Sequence, residues 1–171
     1  CESANIGDVG TLNGVQYTIV DREMLMDKIQ SGEDVTKVCT TRITDMSALF
    51  YVNGEPNVIM VAFNQPIGNW DVSNVINMNI LLALPSFNQP IENWDVSNVL
   101  SMIGMFSTAN NFNQDISSWN VSNVVNMSGM FGNTHEFNQD LSNWDVSSVT
   151  NMRTMFNSAS GFNQPIGDWN V

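Results

Sequence analysis

The chain has 171 residues, 43% of them hydrophobic and 13% charged, which suits one ordered domain with a substantial core and excludes an intrinsically disordered one. Its net charge is -12, and four of its five basic residues (Arg22, Lys28, Lys37 and Arg42) lie before the repeats, leaving Arg153 alone among them. Such a surface repels phosphate backbones and anionic bilayers, so nucleic acid is not an expected partner. No apolar run approaches the roughly 20 residues of a membrane helix, and no membrane insertion is expected in this segment.

In chain order, Thr11 to Val20 reads as a hairpin. Asn13-Gly14 supplies the positive φ values of a tight turn before the β-rich Val15, Tyr17, Ile19 and Val20. Asp21 then caps a helix with Glu23 in its first turn and Met24, Leu25 and Ile29 on its apolar side, ended by Ser31-Gly32. Val35 to Thr40 is extended. Ile43, Met46, Leu49 and Phe50 fall on helical spacing and form a degenerate copy that precedes the five repeats. The insertion Tyr51 to Ala62 joins the turn Asn53-Gly54-Glu55-Pro56 to the apolar Val58, Ile59, Met60 and Val61, read as a capping strand or an exposed contact patch. Residues 1–62 are thus expected to be an α+β capping segment that covers the open end of the array.

From Phe63 onward one pattern recurs five times. Phe-Asn-Gln opens each copy at Phe63, Phe87, Phe112, Phe137 and Phe162, and a tryptophan comes after it at Trp70, Trp94, Trp119, Trp144 and Trp169. Both markers advance by 24, 25, 25 and 25 positions, the signature of a tandem repeat whose copies stack into one shared core. Within a copy, Trp-x-Val is expected to form a short strand, and a serine such as Ser122 to N-cap a short helix with Val124, Met127, Met130 and Phe131 on one face. The first copy is one residue shorter, with Leu81 and Leu82 where Met-Phe stands elsewhere. The expected fold is therefore an α/β solenoid with the cap at 1–62 and tandem repeats of about 25 residues at 63–171. The last copy is incomplete, so further repeats or another domain are expected beyond it, and end-to-end contacts are the one expected departure from a monomer.

The frame Ile-x-x-Trp-x-Val-x-x-Val with a later Met-x-x-Met-Phe fits a leucine-rich repeat. Copies such as Ile116 to Gln139 resemble BspA-like bacterial surface repeats, whose units carry Trp-Asp-Val-Ser, Met-Phe and Phe-Asn-Gln. Gly7-Asp8-Val9-Gly10, Tyr17, Val20-Asp21-Arg22 and Val38-Cys39-Thr40 are similar to the segment that introduces such arrays. The resemblance implies a right-handed stack of short parallel strands outside a bacterial cell, with adhesion or contact to a surface protein or glycan as its role. Cys1 and Cys39 by themselves leave three readings open: a disulfide, two separate thiols, or a lipid-bearing Cys1. The resemblance implies the Cys1–Cys39 disulfide.

The outward residues beside tryptophan are expected to form a polar ladder on the strand face, represented by Asp71, Asp95, Asn120, Asp145 and Asn170, and to bond turns and helix starts. A calcium-stabilised ladder is the alternative, although no Asp-x-Asp-x-Asp-Gly loop is present and no metal site or cofactor is assigned. The Phe-Asn-Gln asparagines are expected to form an internal amide ladder serving backbone groups. Candidate binding residues lie in the variable connections: Tyr51, Asn53, Glu55, Leu82, Leu84, His135 and Glu136. No nucleophile elbow, phosphate-binding glycine loop or Cys-His pairing occurs in the repeats, so a non-enzymatic module is expected, for contact or as a passive spacer.

Overall fold

Asn13 and Gly14 adopt left-handed φ values of 51° and 79°, and the turn they make joins β1 (Val9–Leu12) to β2 (Val15–Ile19) in antiparallel register, Leu12 opposite Val15. The computed structural model describes residues 4–52, 55–56 and 61–171. After β2 the Asp21 carboxylate accepts the Met24 N–H at 2.8 Å and starts α1 (Arg22–Gln30), whose Leu25 and Ile29 are buried. Ser31 closes the helix, and Gly32 comes next at φ 71°. The chain then returns as β3 (Val38–Cys39), parallel to β2, in a sheet of order β1-β2-β3. β4 (Tyr51–Val52) and β5 (Glu55–Pro56) form a small antiparallel pair within the insertion.

Among the described residues α1 is the single α-helix, which corrects the expectation of a helix in each copy. The serine does not cap one. Ser122 donates both its N–H and its hydroxyl to Asn120 Oδ1, closing a tight Asx turn instead. Beyond it the chain runs through overlapping four-residue turns, Met130 N–H to Met127 C=O, Gly132 to Gly129 and Thr134 to Phe131. The alternate N–H groups leave the coil altogether: those of Met127, Gly129, Phe131 and Asn133 donate to the carbonyls of Asn151, Arg153, Met155 and Asn157 in the next copy. A helix would need those same donors for its own i–4 carbonyls, and the stack takes them.

The parallel pairing is likewise displaced from its expected position. Single-residue bridges link Asp45 to Asn77, Asn77 to Ser101, Ser101 to Asn126 and Asn126 to Asn151, so the ladder runs beside the first methionine and not through Trp-x-Val. The Asp45 bridge brings the Ile43–Phe50 stretch onto the first copy as a rung, with Ile43, Met46, Leu49 and Phe50 buried. The β-sheet cap also contacts that copy directly: Trp70 Nε1 donates to Val35 C=O at 2.9 Å, and Gln65 bonds both Val35 N–H and Glu33 C=O.

Ring columns fill the interior. Phe63, Phe87, Phe112, Phe137 and Phe162 succeed one another at centroid separations of 6.4, 6.2, 5.9 and 6.0 Å. Phe106, Phe131 and Phe156 make a second column, each ring 4.1 to 4.3 Å from a ring of the first. The indoles pack as Trp70–Trp94, Trp94–Trp119 and Trp144–Trp169, 6.3 to 6.5 Å apart and nearly parallel.

Turn stacking imposes a conformational demand at the second residue after the first methionine of each rung, where Ala48, Ile80, Gly104, Gly129 and Thr154 all have φ between 50° and 63°. Two of these are β-branched, in a region where a Cβ costs about 1–2 kcal/mol. Thr154 is exposed, so Thr154→Gly relieves strain without opening a cavity. Offset by the greater flexibility of glycine in the unfolded chain, the net effect is an expected gain of roughly 0.5–1 kcal/mol. It should appear as a raised urea midpoint with unchanged slope; a lowered midpoint contradicts the strain argument.

Candidate functional site

The acidic ladder turns back on its own coil. Asp71, Asp95 and Asp145 accept the N–H groups of Ser73, Ser97 and Ser147 at 3.1 Å, and Asn120 does the same for Ser122. Asp71 also receives the Thr41 hydroxyl at 2.6 Å, a tie between the cap and the first copy. These oxygens close turns, as expected for them, and Asn170 lies exposed in the last copy. Among the described residues no three His, Cys, Asp or Glu side chains converge on one point.

The same bonds set the acid response. Burial is the largest single influence on Asp71 and pushes its carboxyl up, but the Ser73 and Thr41 hydrogen bonds together outweigh it and hold the group below the ordinary range. Hydroxyl and backbone bonds from Ser147 and Ser117 lower Asp145 and Asp115, and those from Ser142 lower Asp140. Folded-state values below unfolded-state values mean that stability is fully present above the unfolded carboxylate value of about 4 and is lost as pH falls through the folded ones. Urea midpoints should therefore be flat from pH 7 to about pH 5 and fall below about pH 4. The Asp71→Asn variant should show a shallower fall; an identical acid limb in that variant contradicts the assignment.

The asparagines of Phe-Asn-Gln do form a ladder, on the outside of the stack. Asn88 Oδ1 accepts Asn113 N–H and Gln114 Nε2, Asn113 Oδ1 accepts Asn138 N–H and Gln139 Nε2, and Asn138 Oδ1 accepts Asn163 N–H and Gln164 Nε2. Each amide thus carries the register from one coil to the next.

Of the residues expected to bind a partner, Leu82 and Leu84 are fully buried, a correction. The shorter first copy folds both inward: Leu82 follows Leu81 in the slot held elsewhere by Met-Phe, and the Leu84 carbonyl accepts Phe87 N–H as that of Ala109 accepts Phe112 N–H. Asn53 lies outside the described residues. So does Cys1, while Cys39 is engaged in a disulfide. Glu55 belongs to β5. Tyr51 is half-buried on a shallow trough of about 400 Å³ that runs past Ile80, Ile103, Gly104, Gly129 and Thr154. His135 and Glu136 are exposed on the connection after the third copy, with His135 Nδ1 3.2 Å from Ser160 Oγ.

A surface not anticipated from the sequence lies on the parallel ladder. Ile76, Leu100 and Val125 are 46%, 46% and 42% exposed and stand on consecutive rungs. Their backbones are joined directly, Leu100 N–H to Ile76 C=O and Val125 N–H to Leu100 C=O, each at 2.9 Å. Thr44 and Thr150 continue the column at its two ends through the bonds Ile76 N–H to Thr44 C=O and Thr150 N–H to Val125 C=O. Beside it runs a column of amides, Asn74, Asn98 and Asn123, whose Nδ2 atoms donate to Thr41, Ser73 and Ser97 carbonyls. Between the two columns is a shallow trough of about 620 Å³, walled by Asn74, Asn98, Ile76 and Leu100 and closed at one end by Arg42 and Thr44. The sequence signal was the residue after Val in Val-x-x-Met, which is Ile, Leu or Val in three copies although neighbouring outward positions are Asn, Asp or Ser.

Comparison with known proteins gives one family. The model described as "Mycoplasma protein of unknown function, DUF285" matches residues 21–107 and again 82–171, overlapping spans that take in α1 and the repeats. No curated protein and no solved structure matches the chain.

Proposed function

Since the chain belongs to the family described as Mycoplasma protein of unknown function, DUF285, we propose that it is a BspA-like, leucine-rich-repeat-type surface module: a right-handed solenoid displayed outside a bacterial cell for adhesion or protein contact. The observation that carries the contact role is the row of exposed apolar side chains Ile76, Leu100 and Val125, standing on consecutive rungs beside the amides of Asn74, Asn98 and Asn123. A contiguous apolar strip bordered by polar groups is the usual composition of a protein-contact surface. The Tyr51 trough and the His135–Glu136 connection are further candidate contact points on the same molecule. Structural work dominates everywhere else, because the side-chain amides and carboxylates are committed to turns and to neighbouring coils.

The passive-spacer reading draws on that same rung-to-rung regularity. The two are separated by passing residues 1–171 over an immobilised panel of extracellular-matrix proteins and surface glycans. A contact module is retained by some member, and single exposed substitutions at Tyr51, Leu100 or His135 weaken retention. A spacer is not retained, and only the deletion of whole coils changes what the parent protein does.

A further inference from the structure

The hydrogen bonds between coils have a fixed direction at each position, so the two ends of the stack differ chemically. On the rungs the donors point forward: the N–H groups of Met102, Gly104 and Phe106 reach the carbonyls of Asn126, Ser128 and Met130 in the next coil. On the aromatic side they point back, Trp144 Nε1 to Ile116 C=O and Asn138 N–H to Asn113 Oδ1. A coil therefore shows rung carbonyls on its leading face. Its trailing face shows rung N–H groups, with acceptors beside the rings.

At the leading end this chemistry is closed. The carbonyls of Asn79, Ile103, Ser128 and Arg153, each one place after a rung methionine, accept the N–H groups of Ala48, Ile80, Gly104 and Gly129 from the preceding coil. The equivalent carbonyl of the first rung, Ser47, accepts Nη2 of Arg22, the first residue of α1. A guanidinium thus stands where the N–H of a preceding coil would be. Val35 C=O serves the first indole in the same way, accepting Trp70 Nε1 as Ile67 C=O accepts Trp94 Nε1.

The trailing face has no such cover. Among the described residues the N–H groups of Met152, Thr154, Phe156 and Ser158 have no hydrogen-bond acceptor, and Asn163 Oδ1 has no donor. Ile166 C=O takes only the N–H of Trp169, within its own turn. Phe156, Phe162 and Trp169 are half-buried, whereas Phe131, Phe137 and Trp144 one coil earlier are at most 4% exposed. Every group on this face has a known complement, because the same interface closes each coil before it.

We propose that the trailing face is a docking site for a further coil of the same pattern carried by a separate polypeptide, which brings rung carbonyls, an indole N–H and the N–H of a Phe-Asn pair. A second intact copy does not fit: the leading faces of its inner coils are already covered, its first rung is closed by Arg22, and two trailing faces would set N–H against N–H. This surface is separate from the Ile76–Leu100–Val125 row, and neither reading rests on the other.

The probe is a fluorescein-labelled peptide of Ser122–Val171, whose Asn126, Ser128, Met130 and Gly132 carbonyls would meet Met152, Thr154, Phe156 and Ser158 as they now meet Met102, Gly104, Phe106 and Thr108. Anisotropy with residues 1–171 should show one site per chain, with affinity at least about ten-fold above that of a scrambled peptide. Asn163→Ala, at an exposed side chain, should weaken binding about three-fold, and Trp169→Ala at least about ten-fold, with near-ultraviolet circular dichroism checking that the remaining indoles stay stacked. Where Trp169→Ala disturbs the stack, the Asn163→Ala result decides. Trp144→Phe in the peptide keeps a ring but not the donor to Ile166 C=O, and should weaken binding about five-fold. Sedimentation of residues 1–171 alone should give a monomer. Equal binding of the scrambled peptide, or binding indifferent to Asn163→Ala, overturns the docking site, and end-to-end association of residues 1–171 alone overturns the closed leading end.

Discussion

Replacing Trp119 by alanine is expected to destabilise the chain by about 4–6 kcal/mol, measured by urea unfolding at pH 7, and so to unfold a large fraction of it if overall stability is that of an ordinary domain. Three losses coincide at this residue. The ring is 4% exposed and sits 6.3 Å from Trp94 and 6.1 Å from Phe106, so truncation leaves a void bounded by rings that are themselves stacked and have little freedom to collapse. Its Nε1 donates to the Ile91 carbonyl at 3.1 Å, and alanine leaves that buried acceptor without the bond. Each indole makes the equivalent bond one coil back, Trp94 to Ile67 and Trp144 to Ile116, so the donor also fixes coil spacing. Trp119→Phe separates the terms: it refills most of the volume but not the bond and should cost about 2–3 kcal/mol. Trp169→Ala, at a ring that is only partly buried, should cost far less than Trp119→Ala. Equal losses at the two positions would mean that burial within the stack is not what the indoles supply.

The aromatic framework was legible in the sequence and the backbone around it was not, because the two depend on different things. Rings at Phe63, Phe87 and Phe112 recur in one residue type and one phase, and that regularity maps directly onto columns of stacked rings. Asn13-Gly14, Asp21 and Gly32 each answer a local backbone demand, so the hairpin and α1 could be read residue by residue. The stretch Val124, Met127, Met130, Phe131 could not. Apolar residues three and four apart are the mark of a helix, but successive four-residue turns give the same spacing, and the two differ in whether an N–H bonds within its coil or to the next. That choice is made by the neighbour. Gly104 and Gly129 hinted at left-handed turns, yet Ile80 and Thr154 hold the same φ and hide the hint.

The candidate site failed to show for a related reason. Treated as one helix, the residues Ile76, Leu100 and Val125 belong to no column. As single-residue rungs they align, and the ridge exists only once the coils are superposed. Leu82 and Leu84 erred in the opposite direction. Their departure from the repeat pattern looked like surface variation, but the missing Met-Phe volume had to be filled from within the same coil; Leu81 and Leu82 fill it, and Leu84 is buried at the place of Ala109.

Deleting Phe112 to Glu136, one full period, is expected to leave a folded and shorter stack, whereas deleting Phe112 to Asn123, about half of it, should abolish cooperative unfolding altogether. The full deletion joins Asn111 to Phe137, so the second copy meets the fourth with every equivalent group in register. Met102, Gly104, Phe106 and Thr108, which now donate to Asn126, Ser128, Met130 and Gly132, would find Asn151, Arg153, Met155 and Asn157 in those places. Asn88 Oδ1 would accept Asn138 N–H in place of Asn113 N–H, and Trp144 Nε1 would reach Ile91 in place of Ile116. The half deletion removes Phe112, Ile116, Trp119 and Val121 but keeps the turns from Val124 onward, so the Phe87 and Trp94 rings lose their neighbours while the backbone ladder must still close. Because stability in such an array is a sum over coils and their interfaces, the full deletion should lower the urea slope in proportion to the surface of one coil and keep a single transition. Near-ultraviolet circular dichroism, which reports the stacked indoles, should persist in the full deletion and vanish in the half. Unfolding of the 25-residue deletion, with its tryptophan signal lost, would show that the copies are not interchangeable rungs.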